Sequence, residues 1–262
     1  MSRFDFDRVE PYGQDEFIGM VKAEALDRNA RLDHPYVKLL VDGKLTREQL
    51  IDFAKQDYQL KKVPSWWSAQ RITNCLTIAD QKAISKAFSE EMGGTGDRFT
   101  GHQAMYLQFG EALGLRAEDL EHAPVLPSTI LAVTMLMHIN KYRSTPEGLA
   151  SGSVLGEQTN VRVAKMFVPA FEKHYGLPRE KLIWFLEHIE ADEGHGGMGE
   201  EFVHKYSKTK DMQNKIWDTI IRTKSVWWIF FDGLYSAQIT GTNLPRYTIG
   251  KDLPEFFPNE PY

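Results

Sequence analysis

Residues 185–195 read FLEHIEADEGH, and the spacing of their polar groups decides how the rest of the chain is read. His188, Asp192 and His195 recur at i, i+4 and i+7, which at about 100° per residue places them within a sector of roughly 60° on a helix. That sector borders the apolar stripe of Leu182, Phe185 and Ile189, so the three side chains flank a core. Two imidazoles and one carboxylate at such a border form half of a metal site. Nitrogen and oxygen donors suit iron, manganese or zinc, whereas a single cysteine, Cys75, argues against zinc-thiolate and iron-sulfur centres. The plain alternative is a solvated polar face shared with Glu187, Glu190 and Glu193.

Working outward, two more carboxylates and one more histidine interrupt apolar seams. Glu157 lies among Val154, Val161, Ala164 and Val168 at three-four spacing, and Glu91 follows Ile84 and Phe88 at i+4 and i+7. His102 shares a face with Met105, Tyr106, Phe109 and Leu113. A buried charge without a partner costs several kcal/mol or more, so each needs something to meet it. Glu157 alone could be met by an Arg or Lys, and His102 alone could be an ordinary surface residue. Taken with the C-terminal trio they make three histidines and three carboxylates: Glu91, His102, Glu157, His188, Asp192 and His195. Two divalent ions would leave one net positive charge on this set and open positions for a further ligand.

The surrounding chain is helical in pattern. Thr46 followed by Gln49 is a capping box opening a helix with Leu50, Phe53, Ala54 and Tyr58 on one face. Pro64 marks a break. Further helices are expected over 65–78, 80–92, 102–113, 128–142, 148–175, 179–193 and 211–239, with no alternation long enough for a sheet. The expectation is one all-α domain over residues 1–262, with an N-terminal extension at 1–20 and an irregular Pro-rich tail at 241–262.

Composition agrees with a soluble globular chain, 42% hydrophobic and 26% charged over 262 residues. A net charge of -5 supplies no basic excess for a nucleic acid. The lone cysteine permits no internal disulfide, and no segment approaches a membrane span, so a cytoplasmic protein is expected. The acidic balance is compatible with a homodimer.

Three segments carry a resemblance: HPYVKLLVDGKLTREQLIDFAKQDYQ at 34–59, EEMGGTGDRFTGH at 90–102, and GEQTNVRVAKMFVPAFEKHYGL at 156–177 with FLEHIEADEGH after it. The chain resembles the haem-oxygenase-like helical superfamily that includes pyrroloquinoline quinone synthase, thiaminase II and the non-haem diiron oxidases. In the diiron members an acid before a glycine-containing loop, a His after it, a mid-chain Glu and a final His-x3-Asp-x2-His hold the metals. These match the six residues already singled out. The resemblance implies a single-domain haem-oxygenase-like bundle, two Fe(II) per chain, and O2 as co-substrate.

Departures narrow the expected chemistry. N-oxygenating members carry a further carboxylate on the helix where this chain reads VPSWWSAQR at 63–71, which has none. The resemblance then leaves oxidation of a small carboxylated molecule, an amino acid or fatty acid, by hydrogen abstraction leading to carbon-carbon cleavage or desaturation. Thiaminase II members use a late cysteine, and Cys75 is early; quinone synthase members do not call for six ligands. A metal-independent oxidase or hydrolase of those kinds, and a non-enzymatic metal or ligand carrier, are the alternatives. Tyr58, Trp66, Trp67 and Arg162 are candidates for the substrate pocket. Arg71, Lys62 and Lys165 join Arg162 as cations able to meet a carboxylate, and the aromatic run at 226–235 is a second possible wall.

Overall fold

Thr46 opens its helix as its sequence dictates. Its hydroxyl accepts from the Gln49 amide, and the Gln49 side chain accepts from the Thr46 amide, so two otherwise orphaned donors at the helix start are satisfied. The computed structural model describes residues 4–62, 64–93, 101–190, 197–249 and 251–253. Its helices, in chain order, are α1 Gln14–Leu26, α2 Ala30–Asp33, α3 Pro35–Val41, α4 Arg47–Lys61, α5 Pro64–Thr73, α6 Ile78–Glu91 and α7 His102–Ala112. They continue as α8 Ala117–Glu121, α9 Pro127–Tyr142, α10 Thr145–Leu149, α11 Gln158–Tyr175, α12 Ile183–Glu190, α13 Gly197–Tyr206 and α14 Lys210–Gln238. The architecture is the expected all-α bundle.

Apolar faces decide the packing. On α4, Leu50, Phe53, Ala54, Tyr58 and Leu60 are buried against α7 and α9; on α14, Ile216, Ile220, Phe230 and Leu234 are buried, chiefly against α9. Phe109, Phe167, Phe171 and Phe185 interlock edge to face where α7, α11 and α12 meet. The face of Trp227, Phe230, Phe231 and Leu234 is core, as its spacing predicts.

Five local expectations are corrected. The stretch 148–175 is not one α-helix: α10 passes into a π-helix over Ala150–Glu157 and then into α11. Pro169 lies inside α11, so the irregularity is upstream of it. The helix after Pro64 stops at Thr73, and α12 is preceded by a short 3-10 turn at Arg179–Lys181. Residues 1–20 are not merely an extension, because α1 starts at Gln14 and buries Phe17, Val21 and Ala25 at a spacing of four, while Phe4 stacks on Trp217. The tail is not wholly irregular: β2, Tyr247–Thr248, pairs antiparallel with β1, Pro124–Val125. Arg246 beside it grips Asp52 of α4 with two 2.7 Å hydrogen bonds. No helix among the described residues is long and apolar enough to cross a membrane.

Candidate metal centre

Glu91 ends α6 and His102 begins α7, and the two helix ends lie against each other. At Gly101 an added Cβ would come within 3.0 Å of the Met92 carbonyl and 3.1 Å of the Glu91 oxygen, so the chain comes back against the end of α6. This brings His102 Nδ1 to 2.6 Å from Glu91 Oε2. That oxygen is buried, and the His102 ring is the polar group set against it. Burial works to lower the His102 pKa, but the Glu91 carboxylate beside it outweighs burial and takes it above the ordinary value.

His188 arrives from α12, its ring centroid 5.3 Å from that of His102. Its Nδ1 is 2.6 Å from the Trp184 carbonyl one turn earlier. A carbonyl only accepts, so Nδ1 carries the proton and Nε2 is left with a lone pair, the arrangement that metal-binding histidines adopt. Burial pushes the His188 pKa down to about 3, with the nearby His102, Lys61 and Arg31 adding to the effect and the Trp184 carbonyl opposing it. The ring is therefore neutral at ordinary pH.

Glu157 is delivered by the π-helix. One residue more per turn breaks the regular ladder and rotates the next turn of the chain, and such segments occur frequently at functional sites. Glu157 is open to solvent on one side, yet protein on its other sides desolvates it and pushes its pKa up to about 7. Ser153 opposes the rise by hydrogen bonding, Glu91 and Glu200 reinforce it by charge, and Arg71 opposes it. Arg71, buried on α5, donates from Nε to Asn140 Oδ1 at 2.7 Å and lies in the field of both Glu91 and Glu157. Burial lowers its own pKa to about 10, leaving it cationic. Its guanidinium occupies the space where a side chain at Gly152 would be.

Four of the six predicted donors fall within the described residues, with Glu91 beside His102, His102 beside His188, and Glu157 in the field of Glu91; Asp192 and His195 lie outside them. Among the described residues alone, no three His, Cys, Asp or Glu side chains are grouped to hold a metal ion. The donor set nevertheless fits iron: a buried carboxylate oxygen set against an imidazole, a second imidazole whose tautomer frees a nitrogen, and a carboxylate whose pKa is raised by desolvation.

The remaining candidates separate. Tyr58 is buried, its hydroxyl donating to Glu121 and accepting from Gln103 at 2.9 Å. Trp67 packs on the core with its indole N–H buried and without a hydrogen bond. Trp66 is half-buried. Arg162 is exposed and does not line the core: five residues beyond Glu157 is about 140° around a helix. Lys165 is exposed as well, and Lys62 pairs with Glu121 at 3.7 Å. Two buried cations were not anticipated, Arg31 and Lys61. Lys61 was legible as the next turn of the Phe53, Ala54, Asp57 face; Arg31 sits in too short a helix to show a period.

Fold and donors together define a haem-oxygenase-like helical protein. The family model described as iron-containing redox enzyme matches residues 51–228, and the chain belongs to that family. It is 26% identical to a 4-aminobenzoate synthase of Nitrosomonas europaea over 78% of this chain and 85% of that protein. A pyrroloquinoline-quinone synthase of a Bradyrhizobium species is 23% identical over 84% of each. Among solved structures, a TenA homologue from Pseudomonas syringae superposes with a TM-score of 0.67 at 13% identity, covering 90% of this chain and 99% of the other. A domain of unknown function with a haem-oxygenase-like fold from Shewanella denitrificans gives 0.67 at 17% identity, over 87% and 93%.

Proposed function

We propose that the protein is a non-haem diiron oxidase or oxygenase that uses O2 to oxidise a small carboxylated substrate, an amino acid or a fatty acid. The observation that supports this reading is the junction of Glu91, His102 and His188, in which Glu91 Oε2 lies 2.6 Å from His102 Nδ1, the two imidazole rings lie 5.3 Å apart, and the His188 tautomer leaves Nε2 with a lone pair. Glu91, His102, Glu157 and His188, with Asp192 and His195, would hold the metal. Iron, when bound, supplies electrons to dioxygen and so makes it an oxidant able to take hydrogen from carbon.

The chain's own residues do the rest. Trp184 fixes the His188 tautomer through its carbonyl and covers the ring with its indole, centroids 4.2 Å apart. Arg71 opposes the rise in the Glu157 pKa and so favours the anionic form in which Glu157 can act as a ligand. The aromatic packing of Tyr106, Phe109 and Phe185 beneath the donors keeps water away. Hydrogen abstraction would then lead to carbon-carbon cleavage or desaturation, in keeping with the lack of an added carboxylate in the sequence of α5.

An anaerobic Fe(II) titration of the metal-free chain, followed by mixing with oxygenated buffer in the presence of amino acids or fatty acids, tests the reading. Two irons per chain and a transient visible absorption that depends on one substrate class are expected. Activity that persists without iron, unchanged by His188→Ala, would overturn it in favour of a metal-independent oxidase or hydrolase; iron binding without turnover would indicate a carrier.

A further inference from the structure

Charge also accumulates where the core is driest. Arg31 of α2 and Lys61 at the end of α4 are only 5% and 7% exposed, and they border the same small cavity. Among the described residues, the one carboxylate lining it is Asp57, one turn before Lys61. Asp57 Oδ1 is 3.5 Å from Lys61 Nζ, and Oδ2 accepts a hydrogen bond from the Tyr106 hydroxyl at 2.9 Å. Arg31 donates to Asn160 Oδ1 at 2.6 Å and lies over the Trp227 ring, while the Lys61 ammonium lies 4.5 Å from the Trp184 centroid.

Two cations against one anion leave the cavity's lining with an excess positive charge. Aromatic faces attract cations but are not counterions, and a buried charge lacking a counterion costs several kcal/mol. Desolvation lowers the pKa of Arg31 to about 10 and of Lys61 to about 8, with Asp57 opposing in both cases, so both are predominantly charged at pH 7. The other walls include Phe53, Phe167 and Phe231, and the cavity of about 10 Å³ has room for about one water.

Its position gives the excess charge a use. Trp184 forms one wall of the cavity and with the same ring covers His188, so a single indole separates the cation pair from a proposed metal donor. The charges of Lys61 and Arg31 both reach His188.

We propose that Arg31 and Lys61 form the anchoring subsite for the substrate's carboxylate, which completes the charge balance with Asp57 while an apolar body extends past Trp184 toward His188. This rests on the diiron reading only for the identity of the bound acid as substrate. The headgroup displaces the water-sized space and the flexible Lys61 stem yields to it; Asp57 is a positioning residue that holds Lys61 in place. The apolar walls favour a monocarboxylate with a hydrocarbon chain over a zwitterion.

Thermal unfolding of the metal-free full chain, in hexanoate and in chloride at equal ionic strength, tests the subsite without any turnover. Hexanoate should raise the Tm of the parent in a saturable manner, and chloride should not. Lys61→Met leaves Arg31 and Asp57 balanced, so that variant should stay folded and lose at least about tenfold in hexanoate affinity, as should Arg31→Met. No hexanoate shift, an equal shift with chloride, or an undiminished shift in both variants would each overturn the proposal. Iron titration of the same proteins separates the two readings. If the parent takes up no iron yet its hexanoate response depends on Lys61, the diiron reading fails and the subsite stands; if iron binds at two per chain and hexanoate does nothing, the reverse holds.

Discussion

The guanidinium of Arg71 packs onto the backbone of Gly152 so closely that a Cβ at 152 would overlap its Nη2. Arg71 can therefore reach the field of Glu91 and Glu157 only because the π-helix presents a glycine at that turn. Gly152→Ala should displace the guanidinium and cost about 1 to 3 kcal/mol, the usual range for overpacking a filled site. Urea unfolding of the parent, of Gly152→Ala, of Arg71→Met and of the double variant checks this. Because both single changes act on one contact, the double variant should be less destabilised than the sum, and strict additivity would refute the coupling.

The C-terminal strand depends on a different pair. Arg246 makes two parallel hydrogen bonds to Asp52, and Gln238 at the end of α14 donates to the same carboxylate at 2.8 Å. Bidentate guanidinium-carboxylate pairs are among the stronger polar contacts. Arg246→Ala should therefore release β2 from β1 before the bundle is affected. Limited proteolysis should then cut near residues 244–249 faster than in the parent, with about 1 to 2 kcal/mol lost in global unfolding. Unchanged cleavage would mean that β2 is held by its ladder alone.

Helices with a sustained apolar period were legible in the sequence because burial of one face determines them: α4, α7, α9 and α14 all fall within a few residues of their expected places. The features that stayed hidden did so for physical reasons. A π-helix has no compositional signature, so ASGSVLGE reads as ordinary helix while its hydrogen bonds shift by one residue. Strands of two residues are set by partners more than a hundred positions away. Of the proposed donors, Glu91, His102, Glu157 and His188 were singled out because a charge in an apolar seam is costly and thus conspicuous. Arg71 was read only as a cation near the ligands, since its depth depends on Gly148 and Gly152 far along the chain. Arg162 was nominated by nearness in sequence to Glu157, which is not nearness around a helix, and it is exposed.

Glu157 makes the metal-free protein sensitive to pH. Its folded pKa, about 7, is above the ordinary 4.5. A raised carboxyl pKa means that the protonated form is the better tolerated one. The associated stability is fully present below pH 4.5, and it declines as pH rises and is lost through pH 7. Open solvent on one side of the residue softens the effect without changing its sign. Glu157→Gln should abolish this component and be more stable than the parent at pH 8, both metal-free. Denaturant midpoints at pH 5 and pH 8 give the comparison, and a parent whose midpoint is flat across that range while Glu157→Gln is no more stable would contradict it.

The His102–Glu91 contact has the same sign for a different reason. Glu91 raises the His102 pKa above 6.5 against the pull of burial, so the imidazolium is favoured in the folded state. In the metal-free chain the pair stabilises fully below pH 6.5, and that contribution disappears as pH climbs through the raised value. A metal ion needs a ring nitrogen free of its proton, so protons and metal compete for the imidazole. Glu91→Gln keeps the shape and removes the charge; the His102 pKa, followed by its imidazole NMR signals without metal, should fall below that of the parent. The acid-side stability should fall with it, while His188, whose ring is held neutral by burial, should show no titration between pH 5 and 8 in either protein. A His102 signal that titrates identically in parent and Glu91→Gln would remove Glu91 as the cause, and with it the reason that the pair is poised to exchange a proton for a metal.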